Sequence, residues 1–200
     1  MPGWADLLRR PAREVAPDLL GWTLSHTTDE GTVSVVLTEV EAYMGEDDPA
    51  SHASRGPTPR NLVMFGRAGH LYTYLSYGMH WCCNVVTGED GHASAVLLRA
   101  GRVVEGADLA RQRRGERTTD RSLARGPGCL GQALGLHREH NGADLVAGGT
   151  LRLRPGDRVD PSRIASGHRV GVSVAHDVPW RFWVEGDPTV SAYKRSPRAQ

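Results

Sequence analysis

Glu39 and Glu41 stand two residues apart in the run VSVVLTEVEAY, residues 33–43. With a strand's period of two they share a side with Val33, Val35, Leu37 and Tyr43, while Ser34, Val36, Thr38, Val40 and Ala42 take the other. A carboxylate beside apolar surface has its charged form disfavoured, so Glu41 on the inward side is a candidate general base for taking a proton from water. The same spacing also suits a solvated strip of two acids on a half-exposed strand. Downstream, residues 49–88 contain no Asp or Glu, yet hold Arg55, Arg60, Arg67, His52, His70 and His80. Five of the chain's twelve aromatic residues are there too: Phe65, Tyr72, Tyr74, Tyr77 and Trp81. Cations interleaved with stacking rings suit a polyanion that carries bases; a core hairpin would collect the same rings. Tyr77, beside Gly78, enters a base stack if a hairpin tip projects and covers the core if the tip folds back. Tyr72 and Tyr74 share one strand side, as stacking platforms or as packed aromatics.

Absences narrow the chemistry. Lysine occurs once, at Lys194, so an internal Schiff base has almost no candidate, and any cleavage of a sugar bond would use activated water. Cys82, Cys83 and Cys129 with His137 and His140 make no recognised metal-ligand spacing, so no metal is expected; an organic cofactor is not expected either. The run GPGCLG, residues 126–131, matches G-x-G-x-x-G literally. No strand pattern precedes it and Pro127 lacks a backbone donor, so it is not read as a phosphate cradle.

The elements that must position these groups follow from periodicity and punctuation. Proline at 11 and glycine at 21 bracket a short helix over residues 11–20, made irregular by Pro17. Residues 33–43 form a strand, and the Gly-, Pro- and Ser-rich residues 45–61 a long loop. Residues 71–75 and 81–86 alternate on either side of a glycine-containing turn, which predicts a hairpin. A short apolar strand is expected over 95–99, a helix over 103–114, and a loop leading into a second helix over 121–135. Late strands are expected at 151–153, 170–174 and 182–184. Strands and helices do not alternate regularly, which implies an α+β fold. The expectation is a single domain over residues 1–200, with a curved antiparallel sheet, peripheral helices, a protruding hairpin and a flexible tail over 193–200.

At 39% hydrophobic and 24% charged, the composition is that of an ordinary globular domain. No apolar run reaches the roughly 20 residues a membrane span needs, and residues 1–6 resemble no signal segment, so a cytoplasmic protein without a membrane partner is expected. Three cysteines, two of them adjacent, do not suggest a disulfide framework. The formal charge of +1 leaves the local arginine-rich window as the only electrostatic signal for a polyanion.

Taken in order, the blocks TEVEAYMGEDDPASHASRGPTPRN (38–61), MFGRAGHLYTYLSYGMHWCCN (64–84), AVLLRA (95–100), RGPGCLGQALGL and RVGVS resemble the alkyladenine (3-methylpurine) DNA glycosylase family. The likeness runs from Leu19 to Ala192. It implies a monofunctional enzyme of base excision repair that flips a damaged purine out of duplex DNA and hydrolyses its bond to deoxyribose, acting as a monomer. By that resemblance Glu41 activates water, which Arg99 and the backbone carbonyl of Val170 also hold. Tyr43, His52 and Tyr74 stack the flipped base, and Asn84 disfavours guanine. Tyr77, flanked by Met79, fills the gap left in the helix. Arg55, Arg60 and Arg67 are then phosphate contacts that position rather than specify. His80 follows Met79 where vertebrate members commonly carry an aromatic residue, and the loop after His52 is shorter. The bias of arginine over lysine fits a GC-rich bacterial coding background.

Three other functions use the same residues. A nucleoside N-glycoside hydrolase needs a primed water but not the acid-free aromatic window. A lesion-binding module without catalysis would keep its role after Glu41→Gln. A glycosylase for bulky or crosslinked bases would gain room from the shorter loop.

Overall fold

The computed structural model describes residues 3–199; of the expected domain, Met1, Pro2 and Gln200 lie outside the described residues. The fold is a single α+β domain on one antiparallel sheet of nine strands. They are β1 (Thr23–Thr28), β2 (Gly31–Tyr43), β3 (Leu71–Ser76), β4 (His80–Val86), β5 (Ala95–Glu105), β6 (Ala124–Arg125), β7 (Leu151–Arg154), β8 (Ile164–Gly167) and β9 (Arg181–Val184). The main path runs β3-β4-β5-β2-β1-β7, with β9 paired to β2, β8 to β9 and β6 to β5. Three helices, α1 (Ala12–Asp18), α2 (Ala107–Arg114) and α3 (Pro127–Leu134), flank the sheet.

The main core forms where apolar stripes of the helices meet one face of the sheet. Ala12, Val15 and Ala16 of α1, Ala110 of α2, and Leu130, Ala133 and Leu134 of α3 pack there against Val35, Leu37, Val85, Val96 and Leu98. α3 lies unusually close to β4: a Cβ on Gly131 would stand 1.9 Å from the Trp81 carbonyl oxygen. Here the glycines of the GPGCLG run allow a helix to approach a strand. Over the opposite face fold residues 45–66 and the segment after β8, and a smaller cluster of Ala53, Met64, Tyr72, Val86, Ala93 and Ala95 fills part of the space between.

β2 departs from simple alternation, and that departure sets the site. Its pairing with β5 shifts between Leu37 and Glu39 and again between Glu39 and Val40. Leu37 pairs with Gly101 and Glu39 with Ala100, so Thr38 is an extra residue on β2; Arg99 is then extra on β5. Each extra residue inverts the side to which later residues point. Val33, Val35 and Leu37 therefore join the main core together with Val40 and Ala42. Glu39 and Glu41 are both fully buried, but on the other face from Val33, Val35 and Leu37. The expected single period-two set is thus corrected, and a solvated acidic strip is excluded.

Two element expectations are also overturned. Residues 103–105 continue β5 rather than open a helix, because Val103 pairs with Val35 and Ser34 Oγ donates to Glu105 Oε2 at 2.6 Å. Residues 170–174 are not a strand: the Val170 amide is given to a carboxylate rather than to a ladder, and Gly171 takes a φ of +74°. β1, β6 and β8 had no expected counterpart. No helix among the described residues is long and apolar enough to cross a membrane.

Candidate active site

Antiparallel register lines up the chemistry. Tyr72 pairs with Asn84, Asn84 with Leu97, Leu97 with Glu41, and Glu41 with Arg181, so five strands present these side chains in one row on one face. One step along, Tyr74 pairs with Cys82 and Glu39 with Trp183. Above the row opens a cavity of about 640 Å³ lined by Tyr43, His52, Arg60, Tyr72, Tyr74, Tyr77, Asn84, Arg99 and Val170 among others. Its size is that of a small-molecule pocket.

Glu41 lies directly behind this wall. Its Oε1 accepts the Val170 amide at 2.6 Å and faces Arg99 Nη1 at 3.4 Å, while its Oε2 accepts the Tyr43 hydroxyl at 2.9 Å. A carboxylate offers about four acceptor positions, so these three contacts leave one, on Oε2, for a further donor. Burial pulls against the charge of Arg99, but Glu41 and Glu39 outweigh it and hold the guanidinium protonated. Burial, then Glu41, push the Tyr43 phenol well above its ordinary pKa, so it remains a donor. The structure shows the amide of Val170 on Glu41; the resemblance assigns to its carbonyl a contact with water.

The aromatic wall is tightly joined. His52 packs edge-on to Tyr74 with centroids 4.5 Å apart, and its Nδ1 is 3.1 Å from the Tyr72 hydroxyl. Desolvation, then the charge of Arg60, hold His52 below the usual imidazole pKa, so it is neutral at pH 7. Asn84 donates Nδ2 to the Tyr72 carbonyl at 3.1 Å. Arg60 lies over the Tyr74 ring, 5.7 Å from its centroid. Tyr77 overhangs the cavity from the β3–β4 turn, 89% exposed, with Met79 also projecting. Arg55 and Arg67 are exposed and outside the cavity lining. Cys82 lines the cavity, and no cluster of three or more His, Cys, Asp or Glu among the described residues could hold a metal.

Several supporting roles escaped the sequence reading. Glu39 is an anchor: its carboxylate accepts Arg99 Nε at 2.9 Å, Arg181 Nε at 2.7 Å, the Ser191 amide at 2.7 Å and the Ser191 hydroxyl at 2.9 Å. This fixes one edge of Arg99 and turns the other to Glu41. Arg169 and Asp48 form a fully buried two-point pair, at 2.5 and 2.9 Å, and Arg169 also donates to the Ala42 carbonyl at 3.1 Å. Asp48 in turn accepts the amides of Met44 and Ala50. The pair ties the loop after β2 to the segment that delivers the Val170 amide. Nothing local marks it, since its members are 121 residues apart.

A ring-sized cavity backed by a carboxylate serves many hydrolases, but one opening beside a bare aromatic hairpin suits enzymes that work on a base drawn out of a duplex, the DNA glycosylases. The chain belongs to the methylpurine-DNA glycosylase (MPG) family, whose model matches residues 6–188. It is 52% identical over 192 residues to a Streptomyces avermitilis protein described as "Putative 3-methyladenine DNA glycosylase", covering 94% of this chain and 90% of that one. Proteins of the same description in Nocardia farcinica and Cutibacterium acnes are 55% and 53% identical, covering 90% and 92% of this chain and 86% and 96% of theirs.

Proposed function

We propose that the protein is a monofunctional, monomeric DNA glycosylase of the bacterial cytoplasm that hydrolyses alkylated and deaminated purines from duplex DNA. Its substrates are of the 3-methyladenine, 7-methylguanine, hypoxanthine and ethenoadenine class. The observation that carries this reading is the position of Glu41, sealed from solvent yet joined through Tyr43, Val170 and Arg99 to the aromatic cavity.

The flipped purine stacks among Tyr43, His52 and Tyr74, while Tyr77 enters the helix in its place and offsets part of the few kcal/mol of unstacking. A water admitted to Glu41 Oε2 beside the Tyr43 hydroxyl as the base enters attacks C1′. Its proton passes to Glu41, and the electron pair of the C1′–N bond leaves with the purine. The Glu41 carboxylate also faces the positive charge that develops on the sugar. The single lysine, Lys194, does not line the cavity, which leaves a Schiff base with the sugar without a lysine to form it, and the product of this reading is an abasic site.

Duplexes carrying one lesion each, incubated with the protein and resolved with and without alkali, test this reading. Breaks at the lesion only after alkali are expected. Breaks without alkali would overturn the monofunctional assignment, and intact strands with every lesion would overturn the glycosylase itself.

A further inference from the structure

Among the charged groups that line the cavity or lie behind its wall, all but one are matched. Glu39 and Glu41 face Arg99 and Arg181, and Asp48 faces Arg169. Arg60 also lines the cavity, yet it makes no ion pair among the described residues. Its guanidinium lies over the Tyr74 ring, the surface on which a flat base would stack. It enters from the loop after β2, which Asn61 braces by donating to the His52 and Gly56 carbonyls at 2.9 and 3.1 Å. An unmatched cation at the rim of the pocket acts on whatever charge a bound base carries or develops, the more so once the base has displaced water from between them.

We propose that Arg60 contacts the flipped base and favours lesions that are neutral while attached to the sugar, a specificity role that rests on the glycosylase reading above. The two lesion classes differ in where charge goes. In a neutral purine such as hypoxanthine, the C1′–N9 electron pair leaves with the base, which departs as an anion and then takes a proton from water. Arg60 stabilises that anion as it forms. In a purine already cationic by alkylation, such as 7-methylguanine, the same electron pair cancels the ring's charge and the base leaves neutral. Arg60 then has no negative charge to stabilise, and it repels the bound cation. The neighbouring His52, neutral at pH 7, adds no second positive charge to the same wall.

The test is single-turnover excision of hypoxanthine and of 7-methylguanine from otherwise identical duplexes by wild type, Arg60→Gln and Arg60→Lys. Arg60→Gln is expected to slow hypoxanthine release by about 10- to 100-fold, less than the roughly 10²- to 10³-fold of an enclosed charge-stabilising donor because Arg60 is exposed, and to leave 7-methylguanine release unchanged or faster. Arg60→Lys, which keeps the charge, should recover most of the hypoxanthine rate. Arg60 is exposed, so thermal unfolding of each variant is expected to match wild type. Equal slowing of both lesions, accompanied by weaker binding to undamaged duplex, would make Arg60 a phosphate contact and overturn the proposal; so would no change with either lesion. If wild type releases neither base, the glycosylase reading fails, and this inference with it.

Discussion

Glu41 is asked to do two jobs with two oxygens: hold the pocket wall through Val170 and Tyr43, and take a proton from water. Glu41→Gln separates them. The amide oxygen still accepts from Val170, and the amide NH2 donates to a Tyr43 hydroxyl that rotates to receive it, so the shape persists while the basicity goes. Excision should fall by about 10²- to 10⁴-fold, the usual worth of a positioned base, with lesion-duplex affinity retained. Single-turnover rates and equilibrium binding on one lesion duplex check this; wild-type rates in the variant would remove Glu41 from the mechanism. At this scale the sequence showed residue types and their order well. Glu39 was read only as a companion acid, because its work is done through Arg181 and Ser191, which lie 142 and 152 residues away along the chain.

The strand and the hairpin decide whether those residues can meet. Alternation located β2 but not its bulge, because an extra residue inverts the facing pattern without changing composition; VSVVLTEVEAY reads as one continuous strand either way. The hairpin was legible to within a residue or two, but its turn was not. Tyr77 and Gly78 take φ of +51° and +70°, and Met79 donates its amide to the Ser76 carbonyl at 3.1 Å, a type I′ turn with a tyrosine in the left-handed region. That conformation costs a non-glycine residue about 1 kcal/mol, and asparagine tolerates it far better. Tyr77→Asn should therefore leave the fold as stable or about 1 kcal/mol more stable, while affinity for lesion duplex and excision rate both drop. Denaturant unfolding beside a lesion-binding titration reads both effects, and undiminished affinity would mean that the tip stays outside the DNA. The buried Asp48–Arg169 pair predicts the opposite pattern. Asp48→Asn strands a buried guanidinium at a cost of about 3–5 kcal/mol, visible as a lower unfolding midpoint. Because the pair braces the Val170 amide, excision should also fall in protein that remains folded. Unchanged stability would show that the loop after β2 is held by other contacts.

Over the whole molecule the formal charge of +1 gives almost no long-range pull on DNA, so attraction must come from where the charges lie. Away from the cavity, arginines such as Arg10, Arg111 and Arg113 meet carboxylates. From Pro49 to Gly88 the chain runs without an acid, and there Arg55 and Arg67 stand exposed with no ion pair among the described residues. A few unpaired cations bind weakly to any duplex, and affinity is gained only where a base leaves the stack easily. Affinity for undamaged duplex should therefore fall with salt along a modest slope, about 0.9 per phosphate neutralised. Arg55→Ala and Arg67→Ala should each lower that slope by about 1 and weaken lesion and undamaged duplexes alike. Fluorescence anisotropy across a salt series measures it. A slope unmoved by both substitutions would place the phosphate track elsewhere on the surface, whereas a loss confined to lesion duplex would give these arginines a part in reading the base.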